Sequence, residues 1–502
     1  MPSYIAVFVF AVGIIGLFAL ERDGGTRTSK ALWIPVAWLF INSSRPVSAW
    51  LGVFGLGSQY IDPAQVYLEG SPADRNAYMF LLFAGLIVIA ARSQRVGPMF
   101  HRMGMIMLFF SYCALSVLWS DYPFVAFKHW TKGIGDVVMV LVVLTDPEPV
   151  AAIKRLFSRI GFVLIPLSVL FIKYIPDLGR VYTVGGASES TGVATQKNSL
   201  GIMCLVFGLG SLWHFLTVYR NHEVARRTRL LIAHGAILAM VLWLLRTCDS
   251  MTSFSCFLMG GAVMILASQF SLARRTAVVH LLVVAMIGFS LFALFLDSGG
   301  SLLANMGRNP TLTGRTEIWK AVLSLAGNPL IGTGYESFWI GERLQKLWTV
   351  DGGAFLGINE AHNGYLELYL NLGWIGLALL VGLIVTGYRT VIATFREEPG
   401  AGSLGVALFV ASLAYNFTEA GFRMMSPLWI LFLLAIMGVP NAPAPQCLSV
   451  NGADLSQDVA ANEPERKYAF GARLRSLDFQ GAIDRPFLQR SPTRGYGGPS
   501  RD

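Results

Sequence analysis

Charged residues are scarce in this chain. Asp, Glu, Lys and Arg make up 14% of its 502 residues, against about 25% in soluble globular proteins. Hydrophobic residues make up 54%. That imbalance excludes an ordinary soluble domain, because one core cannot hide many helices that are apolar all round. Cysteine is sparse as well. Cys113, Cys204, Cys248, Cys256 and Cys447 are scattered without paired spacing, which argues against a disulfide framework and against a cysteine zinc site. The seven histidines show no H-x-x-H or H-E-x-x-H pattern, so no metalloenzyme motif is in view and no metal or other cofactor is expected. No internal repeat is visible, which weakens an inverted-repeat transporter reading.

What the chain has instead is long apolar runs, most of them sufficient for a helix to cross a bilayer. They fall at roughly 4–20, 31–52, 77–91, 103–119, 133–145, 158–175, 198–218, 229–246, 251–268, 277–296, 362–388, 401–417 and 425–440. The pattern predicts an all-α polytopic transmembrane bundle of about 12–13 spans, in contact with membrane lipids. The run 31–52 is interrupted by Asn42-Ser43-Ser44-Arg45-Pro46, and 133–145 is short, so both are candidates for broken or tilted helices. The stretch from Tyr4 to Leu20 lacks a basic leader and a cleavage site and reads as a retained span.

The formal charge of +9 invites a nucleic-acid partner, but its distribution excludes one. Arg22, Arg27, Lys30, Arg92, Arg95, Arg102, Lys154, Arg155, Arg159, Arg220, Arg226, Arg227, Arg229, Arg274, Arg275, Arg389 and Arg396 cluster in short loops on one side of the spans. This is the positive-inside bias. That side is therefore read as cytoplasmic. Residues 1–440 form the membrane domain. Residues 441–502, rich in Pro, Gly, Ser, Arg and Asp, read as a disordered cytoplasmic tail.

One external segment, 297–361, is far longer than a turn, and loops of such length are usually functional or disordered. Its pattern is not that of disorder. Arg315 to Ala326 reads as an amphipathic helix, with Ile318, Trp319, Val322, Leu323 and Leu325 on its apolar side, Thr313 as cap and Gly327-Asn328-Pro329 as stop. A second helical run holds Trp339, Leu344, Leu347 and Trp348. The loop ends at Glu360-Ala361-His362-Asn363-Gly364. His362 opens a helix, whose N-terminus disfavours the imidazolium, so it is expected to stay neutral and accept a proton. Arg315 can clamp phosphate oxygens through its planar fork. Trp319, Tyr335, Trp339 and Trp348 offer flat faces on which sugar rings stack. Each also has a plainer role: His362 as a hydrogen-bonded interface residue held by Asn363 or Glu360, Arg315 as a structural cation, the aromatics as interfacial anchors.

Two smaller pieces join these. Residues 180–198 are small and polar and end in Gln196-Lys197-Asn198, where backbone N–H groups and Lys197 can meet an anion, or simply cap a helix. In Asn416-Phe417-Thr418-Glu419-Ala420-Gly421-Phe422-Arg423, the four-residue spacing of Glu419 and Arg423 suggests a plain salt bridge. Asp136 is the main candidate for a charge inside the membrane.

The pieces TGRTEIW (313–319), NPLIGTGY (328–335) and AHNGYLELYLNLGWIG (361–376), with SVLWSDYP (116–123) and QKNSLG (196–201), resemble the O-antigen ligase and Wzy-type polysaccharide polymerase superfamily. Within it the chain looks most similar to bacterial exopolysaccharide polymerases of the ExoQ type. The resemblance implies a multi-pass inner-membrane glycosyltransferase that works without a metal on its periplasmic face. The donor would be an undecaprenyl-pyrophosphate-linked oligosaccharide and the acceptor a growing polysaccharide, with chain-length regulators and export proteins as possible partners. By motif match, Arg315 would hold the pyrophosphate and His362 would activate the acceptor hydroxyl. The other substrate-binding candidates are Lys197, Asn198, Arg246, Trp319, Tyr335, Trp339, Asn363 and Glu419. The chain departs from the family pattern at Gln196, where relatives often have His, and at Ser250-Met251-Thr252-Ser253, where they often carry a cation. Lys197 and Arg246 are the remaining candidates for a second phosphate ligand. The alternatives are ligation of a finished glycan to a lipid A core, lipid or sugar transport, or a scaffold.

The charge bias makes a testable statement. A cysteine placed at Glu342 should react with a membrane-impermeant thiol reagent in intact cells. Reaction only after the membrane is broken would put the 297–361 loop on the opposite side.

Overall fold

The computed structural model describes residues 2–440, apart from 23–27, 57–70, 101, 183–185, 187, 225, 269–276, much of 278–311, and 354. The tail expected over 441–502, most of the run 277–296 and the first part of the loop lie outside the described residues.

The all-α expectation holds. The described chain is a bundle of helices, with one two-stranded antiparallel ribbon that pairs Arg180–Tyr182 with Ser188–Ser190. Local chemistry sets many helix starts. Proline stands at the first turn of Pro72–Ala91, Pro123–Leu144, Pro149–Tyr174, Pro399–Tyr415 and Pro427–Met437, where its missing N–H and fixed φ are no loss. Six of the described helices are long and apolar enough to cross a membrane: Ser3–Glu21, Pro72–Ala91, Pro149–Tyr174, Lys197–Arg220, Arg227–Thr247 and Gly364–Glu397. The bent pair Ser93–Phe100 and Gly104–Trp119 makes a seventh if counted as one span. The chain is thus a multi-pass membrane protein, with six or seven full-length spans among the described residues. Several apolar runs fold as shorter helices, among them Lys30–Asn42, Met251–Ala267, Pro399–Tyr415 and Pro427–Met437. The run 31–52 does break at Ser43-Ser44, into Trp33–Asn42 and Val47–Val53.

Burial sorts the helices. Pro399–Tyr415 and Pro427–Met437 are buried along almost their whole length, whereas Ser3–Glu21 exposes Tyr4, Phe8, Val12 and Ile15 to the surroundings. Apolar side chains facing outward along a hydrophobic helix are a lipid-contact surface. Asp136, the expected intramembrane charge, is fully buried and accepts hydrogen bonds from Trp38 Nε1 at 2.8 Å and from the Met425 backbone N–H at 2.8 Å. It is a structural tie between helices.

The helix Gly364–Glu397 is broken at Gly373, whose φ of 64° and ψ of −163° interrupt the ladder. Segment 328–335 fills that break. Trp374 and Ile375 donate their N–H groups to the carbonyls of Pro329 and Leu330 at 2.9 and 3.1 Å, while Thr333 and Gly334 donate theirs to the carbonyls of Leu370 and Asn371 at 3.2 and 2.8 Å. Contact is so close that a Cβ on Gly373 would lie 2.3 Å from the Leu330 carbonyl carbon, and one on Gly332 would lie 2.4 Å from that of Asn371. This close approach, together with a positive φ at both positions, is why glycine is required there.

The loop is held on two further sides. Asn371 Oδ1 accepts the N–H groups of Ser337 and Phe338 at 2.8 and 3.0 Å. The SVLWSDYP segment supplies Ser116 Oγ to the Tyr335 N–H, Trp119 Nε1 to the Ile331 carbonyl and Ser120 Oγ to Ser337 Oγ. The two loop helices, Leu312–Ser324 and Glu342–Thr349, share a small core of Val322, Phe338, Trp339, Leu344, Leu347 and Phe355. The first was expected over Arg315–Ala326 and begins earlier, so that Thr313 falls within its bounds.

Asn371→Ala strands the two N–H groups of Ser337 and Phe338, at roughly 1–3 kcal/mol for each buried group left unpaired. The loop should then be cleaved faster by added protease between 327 and 350, with helix content by circular dichroism unchanged. Equal cleavage rates would show that Asn371 does not hold the loop.

Candidate functional site

The site is centred on Glu419. Helix Pro399–Tyr415 ends in a turn shaped by Asn416, which is fully buried; its Oδ1 accepts the N–H groups of Gly421 and Phe422 at 2.9 and 2.7 Å. Gly364, the first residue of its helix, donates to the carbonyls of Asn416 and Glu419 at 2.9 and 3.1 Å. A Cβ on Gly364 would sit 1.8 Å from Asn416 Oδ1, so the helix start and the turn meet backbone to side chain.

Three elements bring polar side chains to this one carboxylate. Arg315 Nη2, from the loop helix, lies 3.0 Å from Glu419 Oε1. His362 Nδ1 lies 3.0 Å from Glu419 Oε2 and 3.2 Å from Glu360 Oε1. Asn198, at the start of Lys197–Arg220, donates its Nδ2 to Glu419 Oε2 at 3.1 Å. Glu419 is nearly buried, at 6% side-chain exposure, while Arg315 and His362 keep 23% and 28%. The carboxylate is therefore the enclosed hub, and the two groups with chemistry to offer reach the surface. Beside them lies a cavity of about 250 Å³, lined in part by Gln196, Asn198, Glu360, Glu419 and Arg423.

The ligand atoms of Glu360, His362 and Glu419 all lie within 4.8 Å of one another, close enough to share a metal ion. Arg315 already supplies a positive charge to that cluster.

Trp319 fastens the Arg315 helix to the strip before His362, donating its Nε1 to the Ala361 carbonyl at 2.8 Å. Asn363 is the helix cap, its Oδ1 accepting from the N–H groups of Tyr365 and Leu366 at 3.0 and 3.1 Å. His362 stands just outside this capped end, with φ of 51°. Left-handed backbone in a non-glycine residue persists only where surroundings hold it.

Several sequence expectations need correction. The helix end does not set the basicity of His362. Burial does oppose its charge, but the hydrogen bond to Glu419 and the carboxylates of Glu360 and Glu419 outweigh burial and the Arg315 charge, and its pKa is raised above that of free imidazole. A full negative charge in contact prevails over the half-charge of a capped helix end. Tyr335 and Trp339 are buried, at 5% and 6% exposure, and Trp339 Nε1 donates to Glu367 Oε2 at 2.6 Å. Their faces are spent on packing and present no stacking platform. Lys197 turns away to Glu189 of the ribbon, Nζ to Oε1 at 2.6 Å. No hydrogen bond or ion pair joins the exposed Arg246 to the Glu419 cluster among the described residues. The Glu419–Arg423 spacing yields no helical pair, because 416–426 is a turn; Glu419 binds Arg315 and His362, and Arg423 Nη1 lies 3.5 Å from Glu360 Oε2. Sequence reasoning missed Asn416 as the residue that shapes the turn, and underrated Glu360. The run of polar residues at 416–423 between two apolar helices was the available signal for the first.

Residues 236–381 match the family model described as O-antigen ligase. The resemblance to the O-antigen ligase and Wzy-type superfamily is borne out. The matched stretch holds Arg315 and His362, while Asn198 and Glu419 lie outside it. The chain is 26% identical over 295 residues to the exopolysaccharide production protein ExoQ of Rhizobium meliloti, an alignment covering 56% of this chain and 64% of that one. It thus spans less than two thirds of that relative. Proteins of Rickettsia typhi and Rickettsia prowazekii, both provisionally named polysaccharide ligases, are each 22% identical over 67% of this chain and 80% of their own lengths.

The raised pKa of His362 has a signed consequence. Contact with the two carboxylates stabilises the fold fully below the free-imidazole pKa of about 6.5, and that contribution is lost as pH rises through the higher folded value. The Tm difference between wild type and His362→Gln should be largest at acid pH and shrink on the alkaline side. A difference that grows with pH would restore the neutral-histidine reading.

Proposed function

We propose that this chain extends a polysaccharide at the outer face of the bacterial inner membrane, using oligosaccharide repeat units carried on undecaprenyl pyrophosphate, without a metal. The observation that carries the reading is the convergence of Arg315 and His362 on the buried carboxylate of Glu419. The relatives' names, an exopolysaccharide production protein and polysaccharide ligases, support a polysaccharide polymerase or ligase.

The chemistry runs as follows. Facing a carboxylate, which can only accept, His362 Nδ1 carries the donated proton, so the opposite ring nitrogen, Nε2, is the free base. Glu419 orients the ring and stabilises the imidazolium that forms, the role of the third member in a nucleophile–base–acid series. The acceptor hydroxyl oxygen bonds to the anomeric carbon of the donor sugar while its proton passes to Nε2. The bond from that carbon to the pyrophosphate oxygen breaks, and the leaving pyrophosphate stays on its lipid. Arg315 spends one of its N–H groups on Glu419 and turns the rest of its fork to the phosphate oxygens. Trp319 and Asn363 act by holding Arg315 and His362 in place. Asn198 Nδ2 holds the same carboxylate oxygen, Oε2, that His362 meets.

Ligation is the second reading, favoured by the names of the Rickettsia relatives. Both reactions use one donor and one leaving group, and they differ only in acceptor. Deleting the protein separates them: loss of long polymer with single repeats retained means polymerase, and loss of lipid A-linked glycan with free polymer retained means ligase.

His362→Gln keeps a hydrogen bond to Glu419 but removes the base. Transfer should fall by about 10²–10⁴-fold at normal protein level, and Arg315→Lys should rescue Arg315→Ala poorly. Near-normal polymer from His362→Gln would reduce His362 to a structural residue.

A further inference from the structure

Sixteen residues along the helix that starts beside Glu419, at about 1.5 Å per residue, a second cluster occupies the other end of the bundle. We propose that Glu21, His214 and His234 form a binding site for a borderline divalent metal ion such as Zn²⁺. The helices Ser3–Glu21, Lys197–Arg220 and Arg227–Thr247 each contribute one ligand. His214 Nδ1 lies 3.9 Å and His234 Nε2 lies 4.0 Å from the same oxygen, Glu21 Oε1. All three ligand atoms fall within 4.8 Å of one another.

These distances are too long for hydrogen bonds. They are close to what one shared ion needs, since bonds of about 2.0–2.2 Å set tetrahedral ligand atoms roughly 3.3–3.6 Å apart. A second observation is independent of that geometry. His214 Nδ1 and both ring nitrogens of His234 have no hydrogen-bond partner, and His234 is only 2% exposed. Buried polar atoms are almost always paired, so the orphaned His214 Nδ1 and His234 Nε2, which both face one carboxylate oxygen, call for a ligand. Two imidazoles and a carboxylate are a donor set suited to Zn²⁺. Ser158 Oγ donates to Glu21 Oε1, the same oxygen the two imidazoles face, and fixes the carboxylate.

The fourth position opens on a cavity of about 750 Å³, lined by Glu21 and His214 and by Lys154, Arg155 and Arg159. Those basic side chains disfavour a bare cation and favour one that carries an anion in the open position. The structural consequence is a clamp. Ser3–Glu21 is little covered by the rest of the protein, and a metal at its last residue would pin it to the core.

The test uses the full chain in detergent, carrying no histidine tag, stripped with a chelator and titrated with Co²⁺ as spectroscopic probe and with Zn²⁺. The expected result is one ion per chain, the intense visible absorption of four-coordinate Co²⁺, and a rise in Tm with Zn²⁺. Glu21→Gln and His214→Gln should abolish all three. His234→Phe, which conserves ring packing against Phe162, should fold and lose the metal. His362→Gln should bind as wild type does, which separates this site from Glu360, His362 and Glu419. Absence of stoichiometric binding, binding unchanged in Glu21→Gln and His234→Phe, or loss confined to His362→Gln would each overturn the proposal.

Discussion

The broken hydrogen-bond ladder at Gly373 is the constraint on which the rest of the site depends. A helix inside a membrane cannot leave backbone groups unpaired, because no water is there to meet them. Gly373 frees the N–H groups of Trp374 and Ile375 and the carbonyls of Leu370 and Asn371, and the loop segment 328–335 pairs with all of them. The loop is therefore part of the bundle and not an appendage over it. That insertion also explains why the GTGY and NLGWIG pieces are glycine-rich, since two backbones pass within contact of each other at Gly332 and Gly373.

A loop anchored at that point can carry a precise site at its free end. Leu312–Ser324 packs on the loop's own small core and is tied by Trp319 to Ala361, one residue before His362. The same loop thus delivers both Arg315 and His362, and the turn built by Asn416 delivers Glu419 to meet them. A nearly buried carboxylate is costly unless paired, and pairing it with one cation, one imidazole and one amide satisfies it while leaving Arg315 and His362 partly exposed. The electrostatics that settle the fold here are the ones that set the histidine's basicity.

The class of the protein was legible in the chain, and so was the presence of Arg315 and His362 in one long loop. Apolar runs of membrane length and a one-sided charge distribution are local properties, and Arg315 and His362 sit in motifs whose residue types are tied to their chemistry. Lys197, Tyr335 and Trp339 were misjudged for one shared reason. A lysine beside a loop or an aromatic within one has the same composition whether it faces a ligand or a neighbour, and only the ribbon at Glu189 and the Glu367 carboxylate decide. Hydropathy records apolarity, not where a helix stops, so several of the apolar runs it marks fold as helices of 10–17 residues.

By itself the sequence determined that this is an all-α, multi-pass membrane protein with a long loop that carries helices of its own, because hydrophobic length, proline at helix starts and glycine spacing act over a few residues. Only the tertiary structure decided what faces what. Arg315, His362, Glu419 and Asn198 come from separate segments up to 221 residues apart, and Glu21, His214 and His234 from three helices with no spacing motif among them. The charge state of His362 turned on the same point. Its place at a helix start was readable from its neighbours in the chain, but the carboxylate that prevails over the helix end arrives from 57 residues away, and Coulombic attraction falls with distance in space, not with separation along the chain.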